Sequence, residues 1–219
     1  DYGIPLKLSH TIINIEGKER LTGITLAEVD ENRNPIPGTE EHYSCDTLLL
    51  SVGLIPENEL SKGAGVSMNR ITSGPNVDDC LETEVEGIYA CGNVLHVHDL
   101  VDFVSQEAAL AGENAAAYVK DGKEMNKGHR VPLLAENGVR YTVPQVLNVD
   151  TMNNTVTVRF RVADVYKDRY ISVYYDDKLI SKKKKKVLAP GEMEQVVLKK
   201  SSFADYPEIG QIKICTEVE

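Results

Sequence analysis

The sequence predicts an α/β segment followed by an all-β sandwich, and three observations carry that prediction. Glu84–Asp102 runs from a short apolar stretch through Gly92 and a small amide, Asn93, into a helix start, the order in which an α/β unit closes a strand and opens a helix. After residue 140 the texture changes to short β-branched and aromatic runs, often alternating in polarity, the period of half-buried strands. Between them Asp121–Arg130 is polar, holds two glycines and shows no apolar period, as expected of a connection.

Taken in order, His10–Ile15 and Leu21–Val29 alternate across the turn Glu16-Gly-Lys-Glu19, and Asn32-Arg-Asn-Pro-Ile-Pro-Gly38 makes a second turn before Glu41–Cys45, so residues 1–46 read as a small β-meander. Asp46–Asn58 is an apolar strand closed by Gly53 and stopped by Pro56. Gly63-Ala-Gly65 precedes Val66 rather than a helix and reads as a loop turn. Ile88, Tyr89, Ala90 and Cys91 read as a buried strand, after which Gly92 lets the backbone approach whatever lies above the strand end. Asp99 has the chemistry of an N-cap for a helix through about Tyr118, rich in alanine (Ala108, Ala109, Ala111, Ala115, Ala116, Ala117) and so suited to close packing. Its first N–H groups would face a ligand carrying negative charge.

The α/β region thus spans 47–125, a linker 126–139, and a β domain 140–219. Tyr141–Leu147, Thr155–Val162, Tyr170–Tyr175, Glu194–Leu198 and Gln211–Cys215 are five strand candidates in about eighty residues, which argues an immunoglobulin-like antiparallel sandwich. Lys182–Lys186 reads either as a solvated hairpin connection or edge strand protected by lysines, or as a docking patch for an acidic partner subunit.

Charge and composition exclude several functions. The chain carries a net −10; residues 1–139 hold 10 Lys+Arg against 23 Asp+Glu, and residues 140–219 hold 14 against 11. An acidic body with no basic surface interleaved with aromatics does not predict nucleic-acid binding. No apolar run is long enough to span a membrane. Cys45, Cys80, Cys91 and Cys215 form no Cys-x-x-Cys pair, so neither a dithiol centre nor zinc is expected here, and buried reduced thiols suit a cytoplasmic protein. His96 and His98, with Asp99 and Asp102, lack a third convergent ligand at any usual spacing, so no metal is expected.

Thr83, Gly87, Ile88, Tyr89, Ala90 and Gly92, with Asn93 in place of the more usual Asp, resemble the second flavin-contacting motif of the pyridine nucleotide-disulfide oxidoreductase superfamily. His96-Val-His-Asp-Leu-Val-Asp102 resembles the version found in the sarcosine-oxidase-alpha-like and glycerol-phosphate-linked branches. The Asp46–Asn58 segment resembles the strand-to-glycine piece that joins the nicotinamide domain back to the flavin domain. The resemblance covers roughly residues 1–120. It implies a partial two-dinucleotide-binding-domain flavoprotein fold, with residues 1–46 closing the NAD(P)-binding domain and 47–125 forming the C-terminal part of the FAD-binding domain.

The resemblance also implies FAD bound at Gly53, Gly92, Asn93, His96, Leu100, Val101 and Asp102, and NAD(P) as the second cofactor. Asn93 would contact ribityl hydroxyls. The N–H groups of Val101 and Asp102 would meet the flavin's pyrimidine oxygen, where the positive helix end favours the charge gained with a hydride. The superfamily's two Gly-x-Gly-x-x-Gly fingerprints are not in this sequence, and the chain begins at Asp1, so the expectation is the C-terminal portion of a larger flavoprotein, inactive alone. No catalytic residue is assigned. The competing expectation is a non-catalytic subunit or scaffold whose sandwich and Lys182–Lys186 recruit a partner dehydrogenase.

Overall fold

The computed structural model describes residues 3–51, 53–121 and 128–218. Asp1–Gly53 and Leu54–Glu219 form two compact units. In the first, β1 (His10–Glu16), β2 (Gly23–Glu28) and β3 (Glu41–Ser44) pair antiparallel in the order β1-β2-β3. The meander follows from its turns: Asp30 Oδ1 accepts the N–H groups of Asn32 and Asn34, both at 2.8 Å, folding the chain back towards β3.

The apolar run beyond β3 does not form the strand expected over Asp46–Asn58. Leu49, Leu50, Leu54 and Ile55 are exposed, and no ladder forms along them among the described residues. Apolar character alone does not make a strand, because strand backbone needs a neighbour for its N–H and C=O groups. Ile88–Cys91 differs from expectation in the same way, keeping one isolated bridge, Glu82 to Tyr89.

In the second unit a short helix, α1 (Glu59–Gly63), precedes Gly65, whose φ of +83° turns the chain out of it, so Gly63-Ala-Gly65 is a helix end. The long helix α2 (Val101–Asp121) follows. Phe103, Glu107, Leu110, Ala111, Asn114 and Tyr118 make its inward stripe, the three- and four-residue spacing of a helix packed on one side. Of the alanines, Ala111 is buried, whereas Ala108, Ala109 and Ala116 face outward.

Residues 128–218 form two sheets. One is three-stranded, with the order β10 (Glu194–Lys199), β7 (Thr155–Val162), β5 (Val139–Val143). The other is five-stranded, with the order β6 (Val146–Asn148), β4 (Arg130–Glu136), β11 (Ile212–Glu217), β8 (Tyr166–Tyr175), β9 (Lys178–Leu188). Inward residues of both sheets, among them Val158, Phe160, Val173, Ile212 and Ile214, share one core.

β4 runs through the stretch expected as a linker, whose first residues, 126–127, lie outside the described residues. Val131 and Leu133 are buried at alternate positions, an alternation that Pro132 and the polar residues before it hide in the sequence. β9 is an edge strand carrying all five lysines, which settles its conformation in favour of the edge-strand reading. Residues 54–121 and the sandwich belong to one compact unit rather than two, and a second core explains why. Tyr141 and Val143 of β5 pack with Val77, Leu81, Ala90, Leu95 and Ala111. Hydrogen bonds join the same parts, since the Gln145 N–H donates to the Val77 carbonyl at 3.0 Å and the Asn148 N–H to the Asp79 side-chain Oδ1 at 2.7 Å. No helix among the described residues is long and apolar enough to cross a membrane.

Candidate functional site

Gly92 begins a single 3₁₀ turn, Gly92–Val94, at a φ of +68°, and a Cβ there would come within 3.3 Å of Val104 Cγ1 on α2. Glycine avoids both the left-handed strain and the crowding. The turn is fixed from behind by buried Asn58, whose Nδ2 donates to the Ser73 carbonyl at 3.0 Å and the Val94 carbonyl at 2.8 Å. Gly74 presses so close that a Cβ would stand 1.9 Å from the Leu95 oxygen. Asn93 itself is exposed, and its Oδ1 accepts the His98 N–H at 3.2 Å.

The chain then dives inward. His96 is sealed from solvent. Its Nε2 lies 2.8 Å from Glu107 Oε1, and His98 Nε2 lies 2.9 Å from Glu107 Oε2. Glu107 also accepts the Gly92 N–H at 3.1 Å and faces Arg159 Nη1 at 3.4 Å. Burial alone would raise the Glu107 carboxyl, but hydrogen bonds from His96 and His98 outweigh it and bring the group down to about 2. Burial lowers the His96 imidazole below its usual value despite Glu107, so it stays neutral. A carboxylate only accepts, so each Nε2 carries the proton towards Glu107. The buried Nδ1 atoms of both rings have no hydrogen-bond partner.

His96, His98 and Glu107 place three ligand atoms within 4.8 Å of one another, a set that could hold a metal ion. Glu107 supplies the third convergent group that the sequence did not reveal. Each Glu107 oxygen already takes two donors, however, and a guanidinium stands beside the pair, so the cluster reads better as a closed ionic network than as a cation site. Cys91, adjoining the turn, has its thiol pushed up by burial and then by Glu107, so it is no thiolate.

Asp99 does not cap α2. Its carboxylate pairs with Arg161, and its second oxygen accepts the Met193 N–H at 2.6 Å, both from the sandwich. Among the described residues, the N–H groups of Val101 and Asp102 bond no preceding carbonyl, and Leu100, Val101 and Asp102 are exposed. Gly92, Asn93, Leu100, Val101 and Asp102 therefore belong to one turn-and-helix-start substructure, with His96 behind it. Gly53 ends the other unit, exposed, at a φ of +97°.

The residues the sequence reading missed are Asn58, Glu107, Arg159 and Arg161. Glu107 had a signal, since it sits four residues after Phe103 and four before Ala111 on the helix's inward stripe. The arginines had none, because Arg159 reaches α2 and Arg161 reaches the loop from a strand more than fifty residues away in sequence.

The meander and the glycine-turn-helix unit both lie within one family match. Residues 1–115 match the family described as pyridine nucleotide-disulphide oxidoreductase. The chain belongs to that family, an oxidoreductase flavoprotein family whose cofactors are FAD and NAD(P). It is similar to an NADH oxidase of Methanocaldococcus jannaschii, 27% identical over 125 residues, covering 57% of this chain and 24% of that protein. It is also similar to a ferredoxin–NADP reductase of Leuconostoc mesenteroides, 27% identical over 137 residues, covering 61% of this chain and 38% of that protein. The chain thus spans well under half the length of either relative.

Proposed function

We propose that the chain is part of an FAD-dependent enzyme that passes a hydride from NAD(P)H to flavin and on to an acceptor, or the reverse. The observation that carries this is the Gly92–Asp102 substructure inside the family match, with an exposed helix start directly beyond the glycine turn. The residues fit the group: Gly92 keeps the backbone low, and the unbonded N–H groups of Val101 and Asp102 stand at the positive end of a 21-residue helix. Bound there, the flavin supplies the hydride-accepting ring. Asn93 spends its Oδ1 on His98, so it offers ribityl hydroxyls a donor where an Asp would offer only an acceptor. His96 serves behind the surface, keeping Glu107 and the turn in place. Gly53 is proposed to sit in the segment that returns to the flavin domain.

The run His96–Asp102 supports placement near the sarcosine-oxidase-alpha-like branch, and the parallel pairing of first strand β4 with last strand β11 supports an immunoglobulin-like sandwich. The free thiols support a reducing, cytoplasmic setting. The full-length protein, purified and then denatured, should release FAD, and NADH or NADPH should bleach its flavin absorbance without oxygen. A colourless protein that FAD cannot reconstitute overturns the reading.

A further inference from the structure

We infer that the C-terminal sandwich is a structural wall of the flavin site, and that Arg161 is the positioning residue through which it acts; this rests on the site proposed above. Arg161 lies on β7, the middle strand of its sheet, held by ladders on both sides. Its Nη2 donates to the Val97 carbonyl at 3.0 Å and to Asp99 Oδ1, and its Nη1 donates to the Pro190 carbonyl at 3.2 Å. Asp99 completes the clasp by accepting the Met193 N–H from the β9–β10 connection. Two residues earlier on the same face of β7, Arg159 reaches Glu107 and donates to Gln106 Oε1 at 3.0 Å. Tyr141 of β5 meets the His96 ring edge-on, 6.1 Å between centroids.

The Leu95–Leu100 loop therefore has two sides. Val97, Asp99 and the His96 ring engage the sandwich, while Asn93, Leu100 and Val101 stay exposed. A rigid strand behind a binding loop holds it within the small tolerance that a site requires, and a loop held only by its own chain does not achieve this. Arg161 also offsets the Asp99 charge, which otherwise stands two residues before the helix start and opposes an electron-rich ligand there.

The test uses the full-length protein as wild type, Arg161→Gln, Arg161→Lys and, as a distant control, Arg169→Gln. FAD dissociation constants are measured after stripping the flavin, amide hydrogen exchange is followed over residues 92–104, and the flavin midpoint potential is recorded. Arg161→Gln should weaken FAD at least ten-fold, speed exchange within 92–104 alone, and lower the potential. Arg161→Lys should recover the potential but only part of the affinity, and Arg169→Gln should match wild type. FAD affinity within two-fold of wild type in Arg161→Gln overturns the inference, as does unchanged exchange over 92–104. Should Arg161→Gln fail to fold, Asp99→Asn is read by the same criteria, with several-fold weaker FAD expected and wild-type affinity overturning the inference. A wild-type protein without flavin removes the proposed function itself, whereas a flavin-bound wild type matched by the variants removes only this inference.

Discussion

Glu107 returns its carboxylate to within 2.8 Å of the Nε2 of His96, eleven residues earlier, and so ties the middle of α2 to the loop that leads into it. The tie is wholly buried and shared with His98, the Gly92 N–H and Arg159, so both sides of the glycine turn depend on one charged group. A buried carboxylate of this kind specifies geometry more than it adds stability, because removing it from water offsets much of the attraction it gains.

Its removal should still be costly, and the cost should depend on pH. Glu107 is depressed from 4.5 to about 2 in the folded protein, so its contribution is present above pH 4.5 and is lost as pH falls towards 2. Two and a half units correspond to on the order of 3 kcal/mol. His96, depressed by burial, costs stability as pH falls below 6.5, and Asp78, raised to about 6 by burial and by Asp79, adds stability from pH 6 down to 3.8. Glu107→Gln leaves Asp78 in place, so its share largely cancels in the difference, whereas His96 loses the partner that raises it and its imidazole falls further. Urea unfolding should show the variant about 3 kcal/mol less stable at pH 6, with the gap narrowing between pH 4.5 and 2. Parallel pH profiles for the two proteins would sink the assignment.

Asn93→Asp and Asn93→Leu separate the two jobs of Asn93. Both Asn and Asp can accept the His98 N–H, so Asn93→Asp should keep the turn and bind FAD within a few-fold of wild type. Leucine has the size but neither donor nor acceptor, so Asn93→Leu should weaken FAD by about 1–3 kcal/mol. Fluorescence titration of the stripped full-length protein decides, and equal affinities for wild type and Asn93→Leu would remove Asn93 from the site.

What the sequence made legible follows the range of the interactions. The meander and Thr155–Val162 were readable because period-two alternation is local, and α2 because its alanines and inward stripe are. Its start was misplaced by one residue because Asp99, a good N-cap by type, finds a stronger partner in Arg161. Ile88–Cys91 and the Leu49–Leu50 run carry strand composition without a neighbouring strand, and composition cannot show whether a neighbour exists. The half of the candidate site that is local in sequence, Gly92 to Asp102, was visible as one motif. The rest was not, because Glu107 and Arg161 meet the loop, and Arg159 meets Glu107, only through the fold.

The lysines of β9 guard an edge. β9 pairs with β8 on one side only, and Lys183 and Lys186 are exposed on a strand of 11 residues, long enough to template another chain. Replacing both with threonine should leave the fold intact, since neither forms an ion pair among the described residues, but should produce concentration-dependent dimers or larger species. Light scattering after size exclusion would show this. A variant that stays monomeric wherever wild type does would mean that the lysines do not serve to block pairing.

Val101→Pro tests the helix start without disturbing the helix. Val101 is the first residue of α2, the one helical position at which proline is well tolerated, because the N–H it lacks has no intrahelical carbonyl to meet. The Val101 side chain is exposed, so little packing is lost, and Leu100 before it lies outside the helix and can adopt the extended backbone a proline demands. The substitution therefore removes one hydrogen-bond donor and almost nothing else. If that N–H meets the flavin, FAD should bind about ten- to a hundred-fold more weakly while the thermal midpoint of the flavin-free protein holds steady, the loss of a single bond in a closed site being on the order of 1–3 kcal/mol. Unchanged FAD affinity would mean that the first turn of α2 does not touch the ligand, and loss of the fold would mean that Val101 lies deeper in the helix than its exposed first-turn position indicates.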